Sequence, residues 1–130
     1  MIVDTSFVID LMDGDAGALE KAKLLWKEKE NIFITTVTIF ELWCGIAQSK
    51  KSEQEKKKVL TVLESQLILE LDEKSAIEGG KIDGNLVREG LQIEPEDCMI
   101  AGIAKHHQER VLTRNTNHFG RIRGLSIVSY

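Results

Sequence analysis

Short β-rich runs alternate with segments of helical periodicity along the whole chain, and this alternation limits the possible folds more than any other feature of the sequence. The apolar run Met1-Ile2-Val3 ends at Asp4 and leads into a helix carrying Phe7, Val8, Leu11 and Met12, with Thr5 or Ser6 available as its cap. Past the turn-like Asp13-Gly14-Asp15, the spacing of Ala18, Leu19, Ala22, Leu25 and Trp26 predicts a second helix with that face turned inward. Residues 32–35 read as a buried strand, followed by a helix with Phe40 and Ala47 that Thr36 or Thr38 can cap. The charged stretch 49–58 links this helix to one carrying Val59, Leu60, Val62 and Leu63, and its lysines read as a solvated face. A strand at 67–71 comes next.

A helix over 72–89 is expected to stop at Gly90, where a left-handed residue finishes it, and to be weakened by Gly79, Gly80 and Gly84. Pro95 suits the first turn of a helix that continues from Glu96 to His107. Val111-Leu112 and residues 125–128 supply the last two strands. Strands separated by helices need crossover connections, so the pattern predicts a parallel sheet covered on both faces, a three-layer α/β/α sandwich. An open sheet of this kind binds ligands beyond the carboxyl ends of its strands, where Asp4 falls.

A length of 130 residues with 42% apolar content suits one domain spanning 1–130 with a sizeable core. No apolar run reaches 18 residues, and Asp4 stands where a signal peptide needs positive charge, so the expectation is a soluble, cytoplasmic protein without a membrane segment. Cys44 and Cys98 lack a paired metal-ligand spacing and read as reduced, helix-borne core thiols. A net charge of −4 excludes general coating of polyanions, which requires clustered lysine and arginine. It leaves room for a nucleic-acid enzyme with an acidic, metal-filled centre.

Three carboxylates stand in apolar surroundings. Asp4 ends an apolar strand, where a cap or turn role is the ordinary reading. Glu41 shares a helix face with Val37, Thr38, Cys44 and Gly45, and Asp97 opens a stripe continued by Ile100, Ala101 and Ala104. For Asp97, interaction with the helix dipole is the alternative. Burying several carboxylates together is costly unless a cation compensates or they protonate, and magnesium, a hard ion with oxygen ligands, is the natural cation.

Four segments resemble the PIN domains, and within them the VapC toxins of prokaryotic toxin-antitoxin pairs, with a likeness that spans nearly the whole chain. They are Ile2-Val3-Asp4-Thr5-Ser6, the stretch from Thr38 to Gly45, the run from Asp97 to Ala104, and the segment from Leu112 to Phe119. Each is weak alone, but four in order are specific. The resemblance implies a five-stranded parallel sheet and RNA cleavage dependent on Mg2+ or Mn2+ held by Asp4, Glu41 and Asp97. It further implies a cognate VapB-like antitoxin and a homodimer. Thr5, Ser6, Thr113, Arg114, Asn115 and His118 are the candidates for holding ligands, waters or substrate.

The chain departs from the family where many relatives carry a fourth acid, for it has Asn115 and His118 at the corresponding places. A neutral His118 could ligate a metal or contact phosphate, or simply sit on a loop surface, and Asn115 can accept from a bound water. His106 and His107 close a helix, where interaction with its C-terminus explains them without chemistry. Lys105, Arg110, Arg114, Arg121 and Arg123 make the last third locally basic; solvated charge covers most of them, and Arg114 is the exception because it lies inside a matched segment. A weakened domain that only binds RNA or protein is the rival from another class. A dehalogenase-like phosphatase is disfavoured, since it needs an acid two positions after Asp4 and Ser6 stands there.

Overall fold

The computed structural model describes residues 1–130. Five short strands, β1 (Ile2–Val3), β2 (Phe33–Thr35), β3 (Leu67–Leu69), β4 (Val111–Leu112) and β5 (Ile127–Val128), pair only in parallel, in the order β3-β2-β1-β4-β5. The chain winds outward from β1 to β3, then returns to the other side of β1 with β4. The strand order therefore reverses between β1 and β4, and a crevice opens beyond their carboxyl ends. Asp4 and Thr113 are the residues that follow these two strands.

Seven helices surround the sheet: α1 (Thr5–Met12), α2 (Ala16–Lys27), α3 (Thr36–Gln48), α4 (Ser52–Leu63), α5 (Glu73–Arg88), α6 (Pro95–His107) and the short α7 (Thr116–Phe119). Side chains alternate along each strand, and this alternation divides the interior in two. Ile2 and Val111 enter a core with Ile82, Leu86, Ile100, Ile103 and Phe119 from α5, α6 and α7. Their neighbours Val3 and Leu112 enter a second core with Phe7, Val8, Leu25, Leu42 and Val59 from α1 to α4. Two cores on opposite faces of one sheet are the three-layer sandwich that the strand-helix alternation predicts.

Several local expectations change. The N-cap of α1 is Asp4, not Thr5 or Ser6, and the cap of α3 is Thr35, whose hydroxyl accepts from Thr38 N, not Thr36 or Thr38. In each case the residue at the strand end has the extended backbone that a cap requires. Most of the charged stretch after α3 is helical, since α4 starts at Ser52. Trp26 is 86% exposed and Leu19 is also exposed, so only part of the periodic face of α2 is buried. The helix ending before Gly90 forms as expected, with Gly90 at φ +71°. Gly79 has a packing role that offsets its low helix propensity, because it faces Gly102 of α6 at backbone contact. The turn α7 was not foreseen.

The two thiols are free, as expected, but only Cys98 belongs to a core; Cys44 is half-buried. Burial, reinforced by nearby Asp83, pushes the Cys98 thiol up to about 12. At pH 8 its thiolate fraction is then about a thousandth of that of an ordinary cysteine. Brief iodoacetamide treatment of the native protein is expected to label Cys44 and spare Cys98 until denaturant is added, as peptide mass spectrometry would read. Equal labelling of both would contradict the burial of α6.

Candidate active site

Asp4 is 4% exposed, and the local fold gives it three donors. Its Oδ1 accepts from Thr5 N at 2.7 Å, and its Oδ2 accepts from the hydroxyls of Ser6 and Thr113, both at 2.8 Å. It also sits at the N-terminus of α1, where the helix dipole favours negative charge. The cap reading of Asp4 is therefore right and incomplete: one oxygen caps the helix while the other is shared by two hydroxyls at the crevice.

Glu41 comes from α3, one turn into the helix, and is held by a line of hydroxyls. Thr5 Oγ1 lies 2.7 Å from Glu41 Oε1 and 3.0 Å from Thr38 Oγ1, which is 3.3 Å from Thr35 Oγ1. A hydroxyl has one proton to donate, and the carboxylate is the strongest acceptor in the line. Thr5 therefore donates to Glu41, Thr38 to Thr5 and Thr35 to Thr38. All three threonines are buried.

Asp97 lies in the first turn of α6 and is held from α7. His118 Nδ1 is 3.0 Å from Asp97 Oδ2 and 2.8 Å from the Asn115 side-chain amide. Nδ1 cannot both donate to the carboxylate and accept from the Asn115 amide N–H that faces it, so donation to Asp97 requires the Asn115 amide to flip and present its oxygen instead. Asn115 is itself anchored by its backbone N–H to Thr113 Oγ1 at 2.9 Å. In this arrangement His118 supports an acid.

These groups line one cleft of about 660 Å³ with Thr5, Ser6, Ile9, Glu94, Glu96 and Arg114. Thr113 is fully buried behind Asp4. Of the basic residues in the last third, only Arg114 reaches the cleft; Lys105, Arg121 and Arg123 border a separate cavity with Glu89, and Arg110 pairs with Glu30. Glu94 and Glu96 were not foreseen as cleft residues. They lie beside Asp97 and Pro95, where the helix start already explains an acid.

The electrostatics follow from this crowding. Burial raises the Glu41 carboxyl above its ordinary value, the Thr5 hydrogen bond opposes the shift, and the charges of Asp4 and Asp97 add to it. Asp97 is likewise raised, first by burial and then by Asp4, against the lowering contact with His118. No cluster of three or more acidic, histidine or cysteine side chains stands close enough together to hold a metal ion. Magnesium does not require one, since it commonly takes one or two carboxylates and keeps several waters. An all-oxygen donor set in which the charge of Asp4 raises both Glu41 and Asp97 fits that ion.

The sequence matches the model of the PIN domain family over residues 1–125. This chain belongs to the PIN domain family. Among the PIN domain's relatives, a tRNA(fMet)-specific endonuclease VapC from Shigella flexneri is 34% identical over 96 residues, covering 71% of this chain and 70% of the relative. A ribonuclease VapC from Rickettsia bellii is 30% identical over 136 residues, covering 99% and 95%. Among solved structures, VapBC2 of Rickettsia felis bound to a promoter DNA fragment superposes with a TM-score of 0.89 at 25% identity, covering 99% of this PIN domain and 97% of that chain. DNA-bound VapBC of Salmonella typhimurium gives 0.86 at 28% identity, covering 98% and 96%.

Proposed function

We infer that this PIN domain is an endoribonuclease of the VapC kind, the toxin of a toxin-antitoxin pair. The observation that carries the reading is the convergence of Asp4, Glu41 and Asp97, from three separate elements, on one cleft. Ribonuclease relatives and VapBC structural neighbours supply the reaction class and the antitoxin partner. Exposed apolar side chains such as Trp26, Phe40 and Leu67 offer surface for that antitoxin and for a second copy of the chain. No helix is long and apolar enough to cross a membrane, and the reading places the protein in the cytoplasm with its RNA.

In the mechanism we propose, Asp4, Glu41 and Asp97 would hold a Mg2+ or Mn2+ ion. Bound there, the ion would neutralise charge on the scissile phosphate and lower the pKa of an attacking water. The rest falls to this chain's side chains. Thr5, Ser6, Thr113 and His118 each occupy a carboxylate oxygen, which fixes the direction of the remaining lone pairs. Water is the nucleophile, and no covalent protein intermediate forms.

Incubation with single-stranded RNA and either Mg2+ or Mn2+ should give internal cuts that stop on addition of a chelator. The binding-module reading is favoured by one observation, a histidine where relatives often carry an acid. RNA that is bound but uncut with both metals, across several sequences, would establish that reading and reject the nuclease. Gain of cleavage in His118→Asp would identify the histidine as the cause.

A further inference from the structure

The cleft presents five carboxylates, Asp4, Glu41, Glu94, Glu96 and Asp97, and a single permanent cation, Arg114. A free guanidinium in such company would collapse onto the nearest acid, because a charged pair in a partly buried site attracts strongly. Arg114 is held elsewhere. Its Nη1 lies 2.8 Å from both Oδ1 and Oδ2 of Asp10, a residue of α1 that does not line the cleft. The Tyr130 hydroxyl donates to the same Asp10 Oδ2 from 2.8 Å, and the Tyr130 ring packs edge-on against Phe7 at 4.8 Å.

The two ends of this arrangement differ in exposure. The Asp10 side chain is 10% exposed, whereas that of Arg114 is 58% exposed. The anchor is buried and satisfied by two partners, and the guanidinium projects from it into the open. Only Nη1 is engaged with Asp10, so Nε and Nη2 remain as a planar pair of donors, the geometry that suits the two free oxygens of a phosphodiester. A buried carboxylate outside the acidic set thus fixes where the one cation of the cleft stands.

We propose that Asp10 and Tyr130 are positioning residues that hold Arg114 at the edge of the cleft as its grip on a backbone phosphate of single-stranded RNA. The identity of the ligand rests on the ribonuclease reading; the grip itself requires no cleavage. It is tested by fluorescence anisotropy of a labelled single-stranded RNA oligonucleotide binding the full chain in chelator at several salt concentrations. Arg114→Ala should raise the Kd about tenfold. It should also reduce the slope of log affinity against log salt by about 0.7, the loss of one single-strand phosphate contact.

Arg114→Lys should not restore binding, because an ammonium lacks the fork that serves Asp10 and phosphate together. Asp10→Asn and Tyr130→Phe should each raise the Kd about threefold and should add nothing in the Arg114→Ala background. Tyr130→Phe keeps the ring on Phe7, so folding is preserved in at least that variant. A lowered melting temperature with Kd and salt slope unchanged would overturn the proposal and leave a plain structural ion pair. So would a Tyr130→Phe effect that persists without Arg114. Cleavage with unchanged KM in Arg114→Ala would reject the grip and leave the nuclease standing, whereas Arg114-dependent binding without cleavage would do the reverse.

Discussion

Asp97→Asn is expected to lower RNA cleavage about a thousandfold while leaving the metal-free protein at least as heat-stable as the parent. The activity loss follows from the proposed ligand role: a bound divalent ion contributes several kcal/mol to stabilising charge in phosphodiester attack, and about 1.4 kcal/mol corresponds to a factor of ten. The stability result has a separate cause. Burial raises the Asp97 carboxyl above its ordinary value, so the folded state binds this proton more tightly than the unfolded chain does. The resulting stability is fully present below the ordinary aspartate range and is lost as pH rises through the raised folded value. At neutral pH the parent therefore bears a charge penalty that asparagine lacks, while the amide oxygen can still accept from His118. Melting curves in chelator at pH 7 and pH 4 should show an advantage for the variant that shrinks toward acid. Undiminished cleavage would remove Asp97 from the mechanism, and a variant markedly less stable at pH 7 would make its charge structural.

The parts of this molecule that could be read from the sequence are those written in local periodicity. Alternation of residues such as Ile2 and Val3, or Val111 and Leu112, marks strands buried on both faces, and two such faces require two layers of helix. Asp4, Glu41 and Asp97 stood out for the same reason, as charges in otherwise apolar or small-residue positions. The supports of these acids were less legible. Thr35 and Thr38 belong to a hydroxyl line that reaches Glu41 through Thr5, and the Thr5–Glu41 contact spans 36 residues of sequence. Asp10 meets Arg114 and Tyr130 across 104 and 120 residues. Helical spacing compares a residue with its third and fourth neighbours and is blind to such pairs. Trp26 shows the opposite failure, since it fits the periodic face of α2 and yet lies almost wholly in solvent. Periodicity assigns a side to a helix, but the width of the buried stripe is set by what packs against it.

Glycines gave the most misleading local signal, and substituting them should produce the largest stability difference in the protein. Gly79, Gly80 and Gly84 all disfavour α5 by propensity alone, yet they face different surroundings. A Cβ on Gly102 of α6 would stand 2.5 Å from Gly79 N, 2.5 Å from Ser75 O and 2.8 Å from Gly79 Cα. All three atoms are backbone, so no side chain can swing aside and the two helices must separate. Gly102→Ala is expected to destabilise the fold by about 3 kcal/mol or more, the upper range for overpacking. For a domain of this size that is a drop of about 10 °C in Tm. Gly80 and Gly84 meet nothing within 4 Å, and alanine at either exposed position should instead stabilise by about 0.5–1 kcal/mol through helix propensity. The same chemical change thus has opposite signs one helix apart, as thermal or urea melts of the three variants would read. A Gly102→Ala protein as stable as the parent would mean that α5 and α6 do not meet at backbone contact. The contact also bears on the cleft: α6 carries Asp97 in its first turn, so separating the helices moves that acid away from Asp4 and Glu41. Gly102→Ala should therefore lose cleavage even below its melting temperature, whereas Gly80→Ala and Gly84→Ala should retain it.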